Sequence, residues 1–461
     1  MTQPAKSAAK KAAVKKSTTK IGTEKVLALR IANAPRLSSA KDAKGRLAGW
    51  LQEISRSTPG KSLKALIGNS TKLAALLCGL ADGSPFLWDL AVAEPARLLG
   101  ILQSDPDKRF AQLLLETARA VEATRDEAEA MRLLRRMKSE AALLIAIADI
   151  GGAWPVMRTT RALTELADAA VQLALRFLLR DAARRGRLKP PNPKAPEEGS
   201  GHIVLAMGKM GAYELNYSSD IDLIVFYDPE APGLVDKDEA AAFHVRITRG
   251  LVKLLQERTG DGYVFRVDLR LRPDPASTQA AVSVETALNY YGSIGQNWER
   301  AAMIKARVCA GDFKAGAAIL KELQPFIWRK YLDFAAVADI EAMKRQIHAY
   351  KGHEDIAVEG HNVKLGRGGI REVEFFVQTQ QLIAGGRHPE LRGRETLPML
   401  DAMVEGGWIK KDARADLRAA YEFLRHVEHR LQMVADDQTH TLPLEREDME
   451  RFARPFIGIP E

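Results

Sequence analysis

The stretch Ser219-Asp-Ile-Asp-Leu-Ile-Val-Phe-Tyr227 can be folded in few ways. Its apolar run reads as a strand of the protein interior, and two carboxylates, Asp220 and Asp222, stand at the opening. On a strand, residues i and i+2 face the same side, about 6.8 Å apart along the backbone. Two acids so placed lose hydration and repel each other. A divalent cation between them removes both penalties, which is what metal-dependent phosphoryl or nucleotidyl transfer requires.

The flanking sequence extends this reading. His202-Ile-Val-Leu-Ala-Met207 is a short apolar run with the length of a strand, and it ends in Gly208-Lys209-Met210-Gly211. Backbone N–H groups of a glycine turn can face phosphate oxygens, and Lys209 adds positive charge there. Downstream, residues 264–272 alternate: Arg266, Asp268, Arg270 and Arg272 on one face, Phe265, Val267, Leu269 and Leu271 on the other. This predicts a strand carrying a third acid and a row of guanidiniums for phosphate. A blander reading has the first two acids capping a turn and the arginines forming a solvated face. It leaves the ordered recurrence of glycine turn, paired acids and acid-bearing strand unexplained. The turn is not a Walker A loop, because Gly-x-x-x-x-Gly-Lys-Ser/Thr is absent.

Four ordered motifs resemble those of a known family. Gly208-Lys-Met-Gly-Ala-Tyr-Glu-Leu-Asn-Tyr-Ser-Ser-Asp-Ile-Asp-Leu-Ile224 is followed by Arg266-Val-Asp-Leu-Arg-Leu-Arg-Pro273. Asn297-Trp-Glu-Arg300 with Lys305-Ala-Arg307 comes next, then Lys364-Leu-Gly-Arg-Gly-Gly-Ile-Arg-Glu-Val-Glu-Phe375. Together they resemble the bacterial glutamine synthetase adenylyltransferase/adenylyl-removing enzymes, of the polymerase-beta-like nucleotidyltransferase superfamily. The resemblance runs from about residue 200 to about 440. It implies an α+β fold: a nucleotidyltransferase-type mixed sheet with helices, flanked by N-terminal and C-terminal helical domains. It implies Asp220, Asp222 and Asp268 as catalytic ligands of one or two Mg²⁺ (or Mn²⁺) ions. Gly208, Lys209, Ser218, Ser219, Arg270, Arg272, Lys305 and Arg307 are expected at the nucleotide and phosphate. Superfamily members often carry Gly-Ser where this chain has Gly208-Lys209, so Ser218 or Ser219 is expected to supply the hydroxyl.

Such enzymes carry two catalytic units in tandem, and this sequence holds one. The long helical region ahead of it, and Asn216 where the adding unit tends to have glycine, resemble the unit that removes AMP. The implied reaction is phosphorolysis of the AMP–tyrosine phosphodiester on glutamine synthetase. Inorganic phosphate is consumed and ADP released, under control of the PII signal protein. Two rivals remain: AMP transfer from ATP to the synthetase tyrosine, and a non-catalytic regulatory or nucleic-acid-binding scaffold. The last predicts steeply salt-dependent binding to DNA or RNA.

Charge distribution argues against a nucleic-acid partner. The formal net charge is +9, but residues 1–20 hold six lysines and no acid, and the remainder carries only +3. Residues 1–22 read as a disordered basic tail without arginine or an apolar signal region. Residues 23–188, rich in Ala, Leu and Arg, predict a helical domain; Leu163, Leu166, Ala170, Leu173 and Phe177 make one apolar helix face. Four prolines between 189 and 201 predict a linker. The catalytic domain follows over 202–312, with a helix between strands over 238–258. Residues 313–461 return to helical periodicity, over 334–350, 370–384 and 412–436, and stop in Pro-Phe-Ile-Gly-Ile-Pro-Glu461, as a truncated end would. No run is long enough to span a bilayer. Two cysteines, Cys78 and Cys309, give neither a disulfide framework nor a zinc cluster, and a reducing cytoplasm fits.

Three further features have a bland and a functional reading. Residues 298–307 predict a helix with Arg300, Lys305 and Arg307 on a basic face, which resemblance turns toward phosphate. Gly366-Arg-Gly-Gly369 opens a helix whose N-terminus favours an anion, and Arg371 and Glu374 on its first turns are further site candidates. His426 and His429 sit three apart on a predicted helix and read as a solvated face, since metal binding needs more ligands nearby.

Overall fold

The computed structural model describes residues 25–330, 342, 345, 358–449 and 452. The basic tail, and most of the helix expected over 334–350, lie outside the described residues. The fold is α+β: a small mixed sheet with helical regions before and after it.

Helices run from Leu27–Arg30 to two long ones, α1 (Glu127–Ile150) and α2 (Val156–Arg184). Asp126 caps α1 by accepting from the Ala128 N–H, which satisfies a donor the first turn leaves free. On α2 the face Leu163, Leu166, Ala170, Leu173 and Phe177 is buried, as its period predicts. Each of these leucines and Phe177 contributes roughly 1.5–3 kcal/mol on burial, and Ala170 less.

The sheet is built on β1 (His202–Ala206) and β2 (Ile221–Tyr227), with β3 (Val267–Asp268), β4 (Val282–Ser283) and β5 (Arg307–Gly311). β1 is central and antiparallel to β2 and β5; β3 and β4 both pair parallel with β2, at its opposite ends. Both faces are buried, which is why β1 and β2 read as unbroken apolar runs. Val204, Ala206, Leu223 and Val225 join a core with the N-terminal helices, while Ile203, Leu205, Ile224 and Phe226 join a second core on the other face.

α3 (Ala240–Gln256) packs on α2 with Phe243, Ile247, Leu251, Leu254 and Leu255 inward. On the second face lies α4 (Asn297–Ile304), started by a capping box between Gln296 and Glu299. The C-terminal region supplies α5 (Ile370–Ala384), α6 (Thr396–Glu405) and α7 (Lys411–Met433). α5 packs on α4, and α7 packs on α2.

The proline-rich stretch 189–201 has no helix or strand, but it is pinned: Lys189 N–H donates to Gly233 O and Gly199 N–H to Asp312 Oδ2, each at 2.8 Å. The first core is continuous across it, from Leu27 through Val204 and Val225 to Leu431. No single helix among the described residues is long and apolar enough to cross a membrane. The bent pair Thr58–Gly68 and Thr71–Gly83 passes by length and composition, but its Leu63, Ile67, Leu73, Leu76 and Leu77 are buried in that core.

Candidate active site

Sheet register brings the acids together. Asp222 is the pairing partner of Asp268 across β2 and β3, and Asp220 lies two residues earlier. One oxygen of each lies within 4.8 Å of the others. Alternation along β2 puts Asp222 on the face of Ile224 and Phe226, where α4 packs. Burial pushes the Asp222 carboxyl up to about 7, helped by the charges of Asp220 and Asp268 and opposed by Lys364 and Arg270. Hydrogen bonds from the Arg270 side chain hold Asp268 below the usual carboxylate range. Arg270 Nε donates to both Asp268 oxygens at 3.0 and 2.8 Å, yet the side chain is 83% exposed. Gln438 Nε2 donates to Asp220 Oδ1 at 2.6 Å. Three clustered carboxylates of this kind are a hard-oxygen donor set suited to Mg²⁺ or Mn²⁺.

The glycine of the preceding turn is required by these acids. Gly208 has φ +51°, and a Cβ there would lie 2.7 Å from Asp222 Oδ2.

A cavity of about 650 Å³ opens beside Asp220 and Asp222, within the size range of small-ligand sites. Trp298, Ala301, Ala302 and Lys305 line it from α4 and its C-terminal cap; Arg371, Glu374, Phe375 and Gln378 line it from α5. Both sets follow the 3-1-3 spacing of a single helix face. Lys209, Ser219 and Lys364 complete the charged part of the wall. Burial opposes ionisation of Glu374, but Lys305, Lys209, Arg425 and Lys364 outweigh it and hold the carboxyl below its usual range.

Behind this wall runs a buried ionic network. Lys209 Nζ donates to Asn216 Oδ1 at 3.2 Å and to both Glu428 oxygens at 3.3 and 3.2 Å. Burial lowers Lys209 to about 8, against the attraction of Glu428. Burial alone would raise Glu428; Lys209, a hydrogen bond from His440 and the charge of Arg425 hold it well below the usual range instead. Arg425 donates to Asn216 Oδ1 and Glu214 O, each at 2.7 Å. Glu214 accepts from the Thr396 N–H at 2.6 Å and Oγ1 at 2.9 Å, and Lys305 Nζ is 3.9 Å away.

Several expected phosphate contacts are committed elsewhere. Residues 264–272 do not form one strand: only Val267–Asp268 pairs, because Asp268 Oδ1 accepts from the Arg270 N–H at 2.8 Å and turns the chain. The arginine row is thereby dispersed. Arg266 donates to Tyr263 Oη and Ser218 O. Arg272 braces the following loop through Leu269 O, Pro275 O and Thr278 O. Ser218 is buried; its N–H donates to Gln432 Oε1 and its hydroxyl to Asp436 O, both at 2.8 Å, and its neighbour Ser219 faces the cavity instead. The helix expected over 298–307 ends at Ile304, and Arg307 begins β5. Arg307 donates to Asp168 Oδ1 at 2.8 Å and Met210 O at 3.0 Å and stacks over Tyr213, so it ties α2 to the sheet. His429 is fully buried, and Asp149 of α1 is held by Arg430 with both histidines nearby, in place of a solvated face.

Of the expected residues, Gly208, Lys209, Ser219, Asp220, Asp222, Lys305, Arg371 and Glu374 share the cavity wall, with Asp268 and Arg270 beside Asp222. Sequence reasoning passed over Lys364, Gln438 and Glu428. Lys364 heads the glycine-rich motif and could have been found there; Gln438 and Glu428 lie some 200 residues from their partners and gave no local signal.

Comparison with known proteins gives consistent findings. The family profile described as glutamate-ammonia ligase adenylyltransferase matches residues 74–322, and the profile described as GlnD PII-uridylyltransferase matches residues 339–459. A relative from Bradyrhizobium diazoefficiens is 60% identical over 435 residues, covering 94% of this chain and 43% of its own. One from Rhodopseudomonas palustris is 59% identical over 430 residues (93% and 43%), and one from Xanthobacter autotrophicus 57% over 435 (94% and 44%). All three are named bifunctional glutamine synthetase adenylyltransferase/adenylyl-removing enzyme. The chain spans less than half the length of these relatives. With the profile covering more than half of its residues, the chain belongs to the glutamate-ammonia ligase adenylyltransferase family.

Proposed function

We propose that this chain is a metal-dependent nucleotidyltransferase unit that removes AMP from a glutamine synthetase tyrosine by phosphorolysis, releasing ADP. The observation that carries the reading is one cavity with Asp220 and Asp222 in its wall, Asp268 clustered beside them, and Lys209, Lys305, Lys364 and Arg371 lining it as well. Asp220, Asp222 and Asp268 would hold Mg²⁺ or Mn²⁺; when bound, the ion supplies Lewis-acid neutralisation of phosphoryl oxygens. The repulsion from Asp220 and Asp268 that helps raise Asp222 is a penalty such an ion would remove.

The chain's own groups do the positioning. Gly208 lets the turn close onto Asp222, and Lys209 is held at that turn by Glu428 and Asn216. Phosphorolysis brings a second anion beside an anionic diester, a repulsion that only added cations offset. Lys305, Lys364 and Arg371 are the cations for inorganic phosphate, a role that moves from Arg272 and Arg307 to side chains lining the cavity. No side-chain nucleophile is needed, because phosphate itself attacks and the site contributes positioning and charge. Asn216 supports the removing direction: its amide satisfies Lys209, Arg425 and Glu428 together, a job no glycine could do. The names of the relatives and the second profile support glutamine synthetase and a PII signal protein as partners. The buried free thiols of Cys78 and Cys309 suit a reducing cytoplasm.

The test is a comparison of directions. The chain is incubated with adenylylated synthetase and inorganic phosphate, and separately with unmodified synthetase and ATP, each with Mg²⁺. The reading expects AMP loss in the first and no AMP gain in the second; the reverse pattern overturns it.

A further inference from the structure

The cavity is divided along its length, and that division points to where the nucleoside lies. On α4, Lys305 caps the charged end, and Trp298 stands seven residues earlier, about 10 Å along the axis at 1.5 Å per residue. On α5, Arg371 and Glu374 belong to the charged end, and Phe375 and Gln378 continue the same face away from it. Gln378 meets Ala301, one turn from Trp298, by donating Nε2 to the Ala301 carbonyl at 3.0 Å. Trp298 is 46% exposed, unusual for an indole, yet it lines the cavity.

The Gln378 amide is oriented by this bond, because a carbonyl only accepts. Its Oε1 therefore remains an acceptor, with no partner among the described residues. Adenine carries a donor at its exocyclic amino group, whereas guanine and hypoxanthine carry an acceptor at the corresponding position. A purine stacked on an aromatic side chain gains affinity whatever its edge; an oriented acceptor adds discrimination.

We propose that Trp298 is the stacking platform for the adenine ring of the nucleotide and that Gln378 Oε1 accepts from its amino group. This makes the two residues the determinants of base affinity and of base choice. The proposal rests on the nucleotidyl-transfer reading of the cavity and goes beyond it.

Calorimetric titration of the chain in Mg²⁺ with ADP, inosine 5′-diphosphate and pyrophosphate tests it. Wild type is expected to bind ADP more tightly than inosine diphosphate, and either more tightly than pyrophosphate. Trp298→Ala is expected to weaken ADP by ~10-fold or more while leaving pyrophosphate unchanged, and Trp298→Phe to restore most of the loss. Gln378→Ala is expected to remove the preference for ADP over inosine diphosphate. Unaltered ADP binding in Trp298→Ala, or equal loss of ADP and pyrophosphate, overturns the platform. Equal wild-type affinity for the two nucleoside diphosphates overturns the role of Gln378. If wild type binds none of the three probes, the nucleotidyl reading fails as well; pyrophosphate binding with ADP indifferent to Trp298 sinks the base site alone. Melting curves confirm folding of each variant, and the exposure of Trp298 makes its truncation tolerable.

Discussion

Gly208 and Asp222 specify each other. The turn holds φ +51°, and the carboxylate occupies the space a side chain would take. Gly208→Ala is expected to cost roughly 1–3 kcal/mol in backbone strain and to displace Asp222. Activity should fall by about 10²-fold or more, with a folded protein by circular dichroism; near-normal turnover would show that the acid is not held there. Asp220→Asn and Asp222→Asn should each lower turnover by about 10²-fold or more. The double variant should be little worse, because ligands of one ion act as a unit. Arg307, which pairs with Asp168, and Lys364, which lines the cavity, test the proposed assignment of structural and phosphate-binding cations. Arg307→Ala leaves the half-buried Asp168 without its partner and should destabilise by about 1–3 kcal/mol, while the phosphate concentration for half-maximal rate stays put. Lys364→Ala should raise that concentration with little change in melting temperature. Exchanged phenotypes would return Arg307 to the phosphate.

At the scale of elements, α7 serves two neighbours. Arg425, Glu428 and Gln432, spaced three and four, reach residues 209–218 of the site turn, while Tyr421 donates to Glu374 of α5; Arg430 with His426 and His429 meets Asp149 of α1. The helix thus fixes the glycine turn against the N-terminal helices. Glu428 gives this a pH signature. Its folded pKa lies below the unfolded value of about 4.3, so its stabilisation is fully present above that value and lost as pH falls through the folded one. Glu428→Gln should lower the melting temperature at pH 7, and the gap from wild type should narrow below about pH 4. A gap independent of pH between 7 and 3 would mean that the carboxylate charge is not what α7 contributes. Elements with clean periods were legible in the sequence: α3 from its inward Phe243, Ile247 and Leu251, and α5 at its observed ends. Asp220 and Asp222 were legible because i, i+2 spacing is local; Asp268 was named from alternation and motif order, and its register with Asp222 shows only in the fold. The arginine row misled, because an Asp268 hydrogen bond to the Arg270 backbone ends β3 where alternation predicted more strand. The His426 and His429 face of α7 read as solvated because its counter-charge, Asp149, lies far away in the chain on α1.

For the whole molecule, the site is an assembly of distant segments over shared cores. β2 and β3 bring the acids, α4 and α5 the opposing walls, and the network through Glu214, Arg425 and Glu428 locks the wall to α6 and α7. The helical region before the sheet packs into the same core as the sheet, so it is part of the support of the site. The proposed phosphorolysis asks the cations of this wall, Lys305, Lys364 and Arg371, to receive a second anionic reactant, a demand that a hydrolase would not make. The most direct measurement follows the phosphorus. Adenylylated glutamine synthetase is incubated with the chain, Mg²⁺ and radiolabelled inorganic phosphate, and the nucleotide product is separated. The account expects labelled ADP, formed at a rate that rises with phosphate and is lost in Asp222→Asn. Unlabelled AMP as the main product, or a rate indifferent to phosphate, would contradict it.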